Sequence, residues 1–174
     1  PDGKLTPRLI DENIGASEST IISISQPTEY GTVYSPAELL ELSEYVHSAG
    51  NVLHVDGARI CNAAAHMGLG LRDAAKGADV LSFGGTKNGL AYGEAVLILN
   101  PDLDKDFAKT RVRSTQRPSK MRYIAAQFDA LLTEDLWRLN ASHANRMAYH
   151  LYHSVKDLPN VEITQPVQSN AVFA

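Results

Sequence analysis

The sequence predicts an α/β fold in which a mostly parallel β-sheet is covered by helices. Short apolar, β-branched runs alternate with segments whose apolar residues recur at helical spacing, and the connections between them are short. The chain has 174 residues, of which 44% are hydrophobic and 21% are charged, so its composition is that of a globular protein. It is long enough for one ordinary domain with a sizeable core.

Each element follows from a local pattern. The clearest is a helix beginning after Ser35, because Ser35-Pro36-Ala37-Glu38 forms a capping box with proline in the first turn, and Gly50 ends the helical spacing. Short runs rich in Ile, Val and Leu predict the strands. The predicted strands cover residues 21–25, 52–56, 79–84 and 93–99, and the predicted helices cover residues 7–13, 36–49, 58–67 and 71–76.

The carboxyl-terminal third has a different character. Residues 118–158 are almost continuously compatible with a long helix that leaves the α/β domain. After Pro159, the segments VEIT and AVFA predict the first strands of a smaller α+β domain. The sequence therefore predicts three regions, at residues 1–117, 118–158 and 159–174. Because the chain starts without Met and stops within an apolar segment, we expect it to be a fragment of a longer protein.

Charge and composition argue against several classes of function. The formal net charge is −4 and the pI is near 5.8, so a basic surface for nucleic acid is not expected. Cys61 is the only cysteine, which precludes an internal disulfide and suits a reducing cytoplasm. No apolar run approaches the roughly 20 residues that cross a bilayer, so a membrane partner is not expected either.

Two polar residues fall at the carboxyl ends of predicted strands, which is where ligands bind in open α/β sheets. Asp56 ends the strand in NVLHVDGAR, and Lys87 follows the strand that leads into FGGTKNG. Taken singly, Asp56 is readily explained as an N-cap for a helix starting near Ala58, and Lys87 as a solvated turn lysine. Taken together, a carboxylate and a lysine on different strand ends of one sheet match the requirements of pyridoxal 5'-phosphate chemistry.

Pyridoxal phosphate needs both groups. A lysine amine must reach the cofactor aldehyde to form a Schiff base, and a carboxylate must keep the pyridine nitrogen protonated so that the ring accepts electrons. Gly84, Gly85 and Gly89 surround Lys87, and we expect them to let a flat ring approach the backbone closely. Lys87 and Asp56 are therefore the candidate catalytic and cofactor-binding residues.

A longer stretch around these residues resembles a known family. HVDGARICNAAAHMG followed by DVLSFGGTKNGLAYGEAVLIL is similar to the threonine aldolase and β-eliminating lyase family of fold type I pyridoxal phosphate enzymes, particularly its low-specificity L-threonine aldolase branch. The resemblance implies that Lys87 binds the cofactor aldehyde and Asp56 the pyridine nitrogen. It implies that Arg59 binds the substrate carboxylate, since a guanidinium can make two parallel hydrogen bonds to it; a helix-surface arginine is the alternative.

The activity that this resemblance implies is retro-aldol cleavage. The substrate would be a β-hydroxy-α-amino acid such as threonine, allo-threonine or phenylserine, and the products glycine and an aldehyde. Two alternatives stay open. One is another fold type I reaction, β-elimination or transamination, and the other is a partial subunit without catalysis that serves in assembly.

The resemblance also implies a shared active site. The segment RVRSTQRPSKMRY, residues 111–123, is similar to the family loop that sends basic residues into the cofactor phosphate site of a neighbouring subunit. Arg122 is the best match to a phosphate ligand, with Lys120 and Arg117 as plausible substitutes. A homodimer or homotetramer is therefore expected.

Two further groups of residues are candidates for the site. The loop SQPTEYG follows the strand at residues 21–25 and occupies the place of a family loop beside the cofactor, so Thr28 and Glu29 are candidates to line the site. His150 and His153 lie one helical turn apart, a spacing that can bind a metal ion. Because no carboxylate or cysteine is placed beside them, a solvated helix face is expected and no metal is assigned.

Overall fold

A four-stranded sheet organises the chain in the computed structural model, which describes residues 2–14 and 20–174. The strands are β1 (Ile21–Ser25), β2 (Val52–Gly57), β3 (Val80–Gly84) and β4 (Glu94–Ile98), and they lie in the order β1-β2-β3-β4. Strands β1, β2 and β3 are parallel, while β4 is antiparallel to β3. The predicted mostly parallel α/β sheet is confirmed.

Helices connect and follow the strands. The α-helices are α1 (Pro7–Ile14), α2 (Pro36–Ser48), α3 (Ile60–Met67), α4 (Leu71–Ala74), α5 (Phe107–Arg113), α6 (Met121–Leu132) and α7 (Leu136–Val155). Short 3-10 turns occupy Thr86–Asn88, Pro101–Leu103 and Thr133–Asp135. In the part of the chain that the structure describes, no helix is long and apolar enough to cross a membrane.

The capping box predicted for α2 is present. The Glu38 N–H donates to Ser35 Oγ at 3.2 Å, and the Ser35 N–H donates to Glu38 Oε2 at 2.7 Å. Lys4 Nζ donates to the same Glu38 carboxylate at 2.7 Å, which joins the amino-terminal segment to the start of α2. This reciprocal capping explains why the helix begins where the sequence predicts.

The two faces of the sheet differ sharply. Side chains alternate along each strand, and one set packs into the core beneath α2 and α3. This buried face consists of Ile22, Ile24, Leu53, Val55, Leu81 and Phe83. The opposite set forms what we call the open face, and its polar residues are Ser23, Ser25, His54, Asp56, Ser82 and Glu94, all exposed or half-buried. Because side chains alternate between the two faces along β2, Asp56 lies on the open face.

A hydrogen-bonded row crosses the open face. Ser23 Oγ lies 2.8 Å from His54 Nδ1, and His54 Nε2 lies 2.9 Å from Ser82 Oγ. These contacts join β1, β2 and β3 through His54, which precedes Asp56 by two residues on the same face of β2.

The long helix predicted over residues 118–158 is broken. Glu134 and Asp135 have φ of 51° and 57°, which ends α6 and starts α7 in a new direction. Leu131 and Trp137 flank the break and are both buried. On a continuous helix, residues six positions apart would lie about 120° apart around the axis. The break lets both side chains enter the core.

The predicted strands VEIT and AVFA are not formed. Neither segment has strand structure, and one backbone hydrogen bond joins them, from the Thr164 N–H to the Phe173 carbonyl at 3.0 Å. A sheet ladder requires repeated bonds of this kind. Helix α5, which the sequence did not predict, is a further difference.

Asp79 anchors the amino end of β3. Its Oδ2 accepts from the Leu53 N–H at 2.8 Å and lies 2.8 Å from His47 Nε2, while its Oδ1 accepts from Asn100 Nδ2 at 2.8 Å. Burial raises the pKa of the Asp79 carboxyl, but the hydrogen bonds from Leu53, Asn100 and His47 outweigh it, and the pKa is lowered. The carboxylate thus joins α2, β2 and the end of β4.

Replacing this carboxylate should destabilise the fold. We expect Asp79→Asn to lower the free energy of unfolding at pH 7 by about 2 to 3 kcal/mol, because its buried donors lose a charged acceptor. Because the folded pKa is lowered, the stabilisation is present above the usual aspartate pKa of about 4 and is lost as pH falls through the folded pKa. Urea unfolding at pH 7 and at a pH below the folded pKa of Asp79 measures both effects. Equal stability of Asp79→Asn and the exposed control Asp104→Asn at pH 7 would contradict the prediction.

Candidate active site

Asp56 lies near the carboxyl end of β2, between two serines. It pairs with Ser25 on β1 and with Ser82 on β3. Its Oδ1 accepts from the Ala58 N–H at 2.9 Å, while no described residue hydrogen-bonds to Oδ2. Helix α3 begins only at Ile60, so the N-cap interpretation of Asp56 is wrong. One carboxylate oxygen is held by the backbone and the other is available on the open face.

Lys87 follows β3 in the 3-10 turn Thr86–Asn88. The residue is exposed, and its ammonium makes no hydrogen bond to any described residue. Because β2 and β3 are parallel, the chain leaves both strands at the same edge of the sheet. The structure therefore brings Asp56 and Lys87 to one edge, as the sequence predicted.

The turn that carries Lys87 is fixed to helix α7. Asn88 Nδ2 donates to the Trp137 carbonyl at 3.0 Å, and Asn140 Nδ2 donates back to the Asn88 carbonyl at 2.9 Å. Asn88 and Trp137 are both buried. Lys87 is exposed, yet its backbone neighbour is held on both sides. Sequence reasoning missed Asn88 and Asn140, because their partners lie about fifty positions away along the chain.

The glycines around Lys87 are explained by packing within the protein. A Cβ on Gly84 would stand 2.7 Å from Ala58 Cα, and one on Gly85 would stand 2.4 Å from Leu90 Cδ2. Gly89 has φ of +110°, and a Cβ there would lie 3.0 Å from Asn140 Nδ2. Protein atoms occupy the space at each position. Close packing of the turn therefore requires glycine at these positions, and the close approach of a cofactor ring stays a prediction.

Glu94 is a second carboxylate at the same edge, and the sequence analysis overlooked it. It begins β4 directly opposite Gly84, and its Oε2 lies 3.1 Å from where a Cβ on Gly84 would stand. Burial raises the pKa of the Glu94 carboxyl, the Asp56 charge raises it further, and the Lys87 charge lowers it. The apolar run in GEAVLIL predicted the strand but not which strand Glu94 would face.

Arg59 and Thr28 occupy different environments. Arg59 is exposed at the N-cap position of α3, and no described residue accepts a hydrogen bond from its guanidinium. Thr28 is buried, and its hydroxyl lies 2.6 Å from Thr32 Oγ1 and accepts from the Tyr30 N–H at 3.3 Å. The contacts of Thr28 hold its own loop together, whereas Arg59 is free to meet a ligand.

The basic segment at residues 111–123 is only partly a loop. Its first residues belong to α5 and its last to α6, which leaves residues 114–120 as the connection. Arg122 is exposed in the first turn of α6, with its guanidinium 4.7 Å from the centre of the Tyr123 ring. Arg117 and Lys120 are exposed in the connection. All three basic groups face solvent in this chain.

The chain as a whole is matched by a family of known proteins. The model of the β-eliminating lyase family matches residues 1–174. The chain belongs to the β-eliminating lyase family. It is 42% identical to the low specificity L-threonine aldolase of Pseudomonas aeruginosa over 179 residues, which cover 98% of this chain and 52% of that protein. The protein of the same description from a Pseudomonas species matches equally, with 42% identity and the same coverage.

Solved structures of this lyase family agree with the fold. The structure described as Leishmania major threonine aldolase superposes with a TM-score of 0.89 and 31% identity, covering 99% of this chain and 53% of that one. The chain therefore spans about half the length of the relatives that it matches. What it shares with the Leishmania structure is the mixed sheet covered by helices.

The contact between Gly84 and Ala58 can be tested directly. We expect Gly84→Ala to lower the free energy of unfolding by about 1 to 3 kcal/mol, because the added Cβ would force the Ala58 backbone to move. Gly70→Ala is the matched control, since a Cβ there meets only Asp73 Oδ2 at 3.6 Å and the φ of Gly70 is −77°. Urea denaturation should separate the two variants, and equal stabilities would contradict the packing described here.

Proposed function

We propose that the intact protein cleaves a β-hydroxy-α-amino acid to glycine and an aldehyde, with pyridoxal 5'-phosphate as cofactor. The observation that carries this proposal is the placement of Asp56 and Lys87 at one edge of the sheet, on neighbouring strands. Similarity to proteins described as threonine aldolases supports the substrate class, which is threonine, allo-threonine or phenylserine.

The donor set fits the proposed cofactor. Asp56 has one carboxylate oxygen fixed by the Ala58 N–H and one that no described residue occupies. Lys87 has an exposed amine, and the turn that carries it is held by Trp137 and Asn140. A fixed carboxylate for a protonated ring nitrogen and a positioned amine for an aldehyde are the two groups that this cofactor requires.

Each residue has a separate task in the proposed reaction. The Lys87 amine binds the aldehyde carbon, and the Asp56 carboxylate keeps a proton on the ring nitrogen. When bound, pyridoxal phosphate supplies an electron-accepting ring that takes up the electron pair left at Cα as the Cα–Cβ bond breaks. The Arg59 guanidinium binds the substrate carboxylate through two parallel hydrogen bonds, which orients the amino acid.

Other residues complete the proposed site less directly. The exposed Arg122, with Arg117 and Lys120 nearby in the chain, is proposed to bind the cofactor phosphate of a neighbouring subunit in a homodimer or homotetramer. Thr28 was a candidate cofactor contact, but its hydroxyl is already engaged by Thr32 and Tyr30. We therefore assign Thr28 to shaping the loop after β1.

Lys87 is the decisive residue for this function. In the intact protein with added pyridoxal phosphate, Lys87→Ala should abolish the visible absorbance of bound cofactor and slow aldehyde release from threonine by a factor of about 100 or more. Absorbance spectra and a coupled aldehyde assay measure the two effects. Lys76→Ala is the matched control, because Lys76 is also exposed and precedes the amino end of β3, away from the carboxyl ends of the strands.

Absorbance spectra, together with analysis of the products formed from threonine, distinguish the alternatives. A Lys87→Ala variant that keeps the absorbance of the wild type would contradict the assignment of Lys87. Formation of a keto acid without glycine would show that the reaction is transamination or β-elimination and not aldol cleavage. Absence of cofactor uptake by the wild type would favour a purely structural role.

A further inference from the structure

Glu94 lies at the sheet edge that carries the two proposed catalytic residues. It is the first residue of β4 and pairs directly with Gly84, the last residue of β3. Along the open face, the neighbouring pair is Ser82 and Val96, and Ser82 in turn pairs with Asp56. Pairing thus places Glu94 and Asp56 on the same face and at the same edge of the sheet, with β3 between their strands.

The absence of a side chain at Gly84 gives the Glu94 carboxylate its position. Oε2 of Glu94 lies 3.1 Å from the point where a Cβ on Gly84 would stand, next to the backbone of Ala58. Any larger residue at position 84 would compete with this carboxylate for space. The carboxylate therefore lies over the end of β3, where the chain turns towards Lys87.

The charges that face Glu94 come from two elements. Asp56 from β2 and Lys87 from the turn after β3 both act electrostatically on its carboxyl group. Helix α6 packs against the adjacent Gly93 with the apolar side chains Ile124 and Phe128. Glu94 is thus near one like charge and one opposite charge, and Lys87 is the basic group that can balance it.

We propose that Glu94 is a positioning residue for Lys87 and is the charge partner of its ammonium whenever the amine is free of cofactor. This inference rests on the proposed function for its biological meaning, since Lys87 alternates there between bound and free forms. Attraction by the Glu94 carboxylate keeps the free ammonium over the end of β3, facing Asp56. Because Glu94 balances the charge of the Lys87 ammonium, the Asp56 carboxylate interacts only with the cofactor ring.

Chemical labelling of Lys87 tests this without cofactor. The intact protein, freed of any pyridoxal phosphate, is treated with limiting acetic anhydride across a range of pH, and acetylation of the Lys87 and Lys76 peptides is measured by mass spectrometry. Only the unprotonated amine reacts, so removing the Glu94 charge by Glu94→Gln should speed Lys87 acetylation relative to Lys76 by about two- to fivefold.

Matched variants separate charge from structure. Glu94→Asp retains the charge on a shorter side chain and should give a Lys87 rate between those of Glu94→Gln and the wild type. Glu41→Gln, at an exposed position of α2, should leave the Lys87 to Lys76 ratio unchanged. Far-UV circular dichroism checks that each variant is folded. If Glu94→Gln is not folded, the test is the comparison of the Lys87 acetylation rate in Glu94→Asp with that in the wild type.

The outcomes keep this inference distinct from the proposed function. A Lys87 to Lys76 ratio in folded Glu94→Gln equal to that of the wild type would overturn the role of Glu94. If Glu94→Gln does not fold, a Lys87 acetylation rate in Glu94→Asp equal to that of the wild type would also overturn the role of Glu94. Absence of visible absorbance in wild-type protein with pyridoxal phosphate would overturn the proposed function instead, because the labelling experiment uses no cofactor.

Discussion

The parallel register of β2 and β3 is the constraint on which the candidate site depends. It sets Asp56 opposite Ser82, so that the chain leaves β2 and β3 at the same edge of the sheet. Gly84 then lets the Ala58 backbone pack closely against the end of β3. A carboxylate and a lysine separated by thirty positions are brought together because two strands run side by side in the same direction.

Anchors at both ends of β3 hold this register. At the amino end, the buried Asp79 carboxylate gathers donors from Leu53 and Asn100 and contacts His47. At the carboxyl end, reciprocal hydrogen bonds of Asn88 with Trp137 and Asn140 hold the turn of Lys87 against α7. The backbone is fixed while the Lys87 side chain remains exposed, which is the combination that a residue forming a covalent bond to a cofactor needs.

Local patterns in the sequence were sufficient for most of the α/β layer. Apolar periodicity located the four strands, and the capping box located α2, because both depend on neighbours within a few positions. The break at Glu134 could not be predicted, since it follows from the need to bury Leu131 and Trp137 together. For the candidate site, the sequence predicted that Asp56 and Lys87 lie at the carboxyl ends of different strands of one sheet, which is where the structure has them; their roles stay a prediction. Glu94 and Asn88 could not, because their importance comes from partners that only the folded chain brings near.

The central claim is that Lys87 is the residue that joins the cofactor to the protein. Reduction of the intact, pyridoxal phosphate-loaded protein with sodium borohydride makes that linkage permanent, and peptide mass spectrometry then locates it. We expect one phosphopyridoxyl group per chain, on the peptide that contains Lys87. The same group on another lysine, or no modified peptide after cofactor uptake, would contradict it.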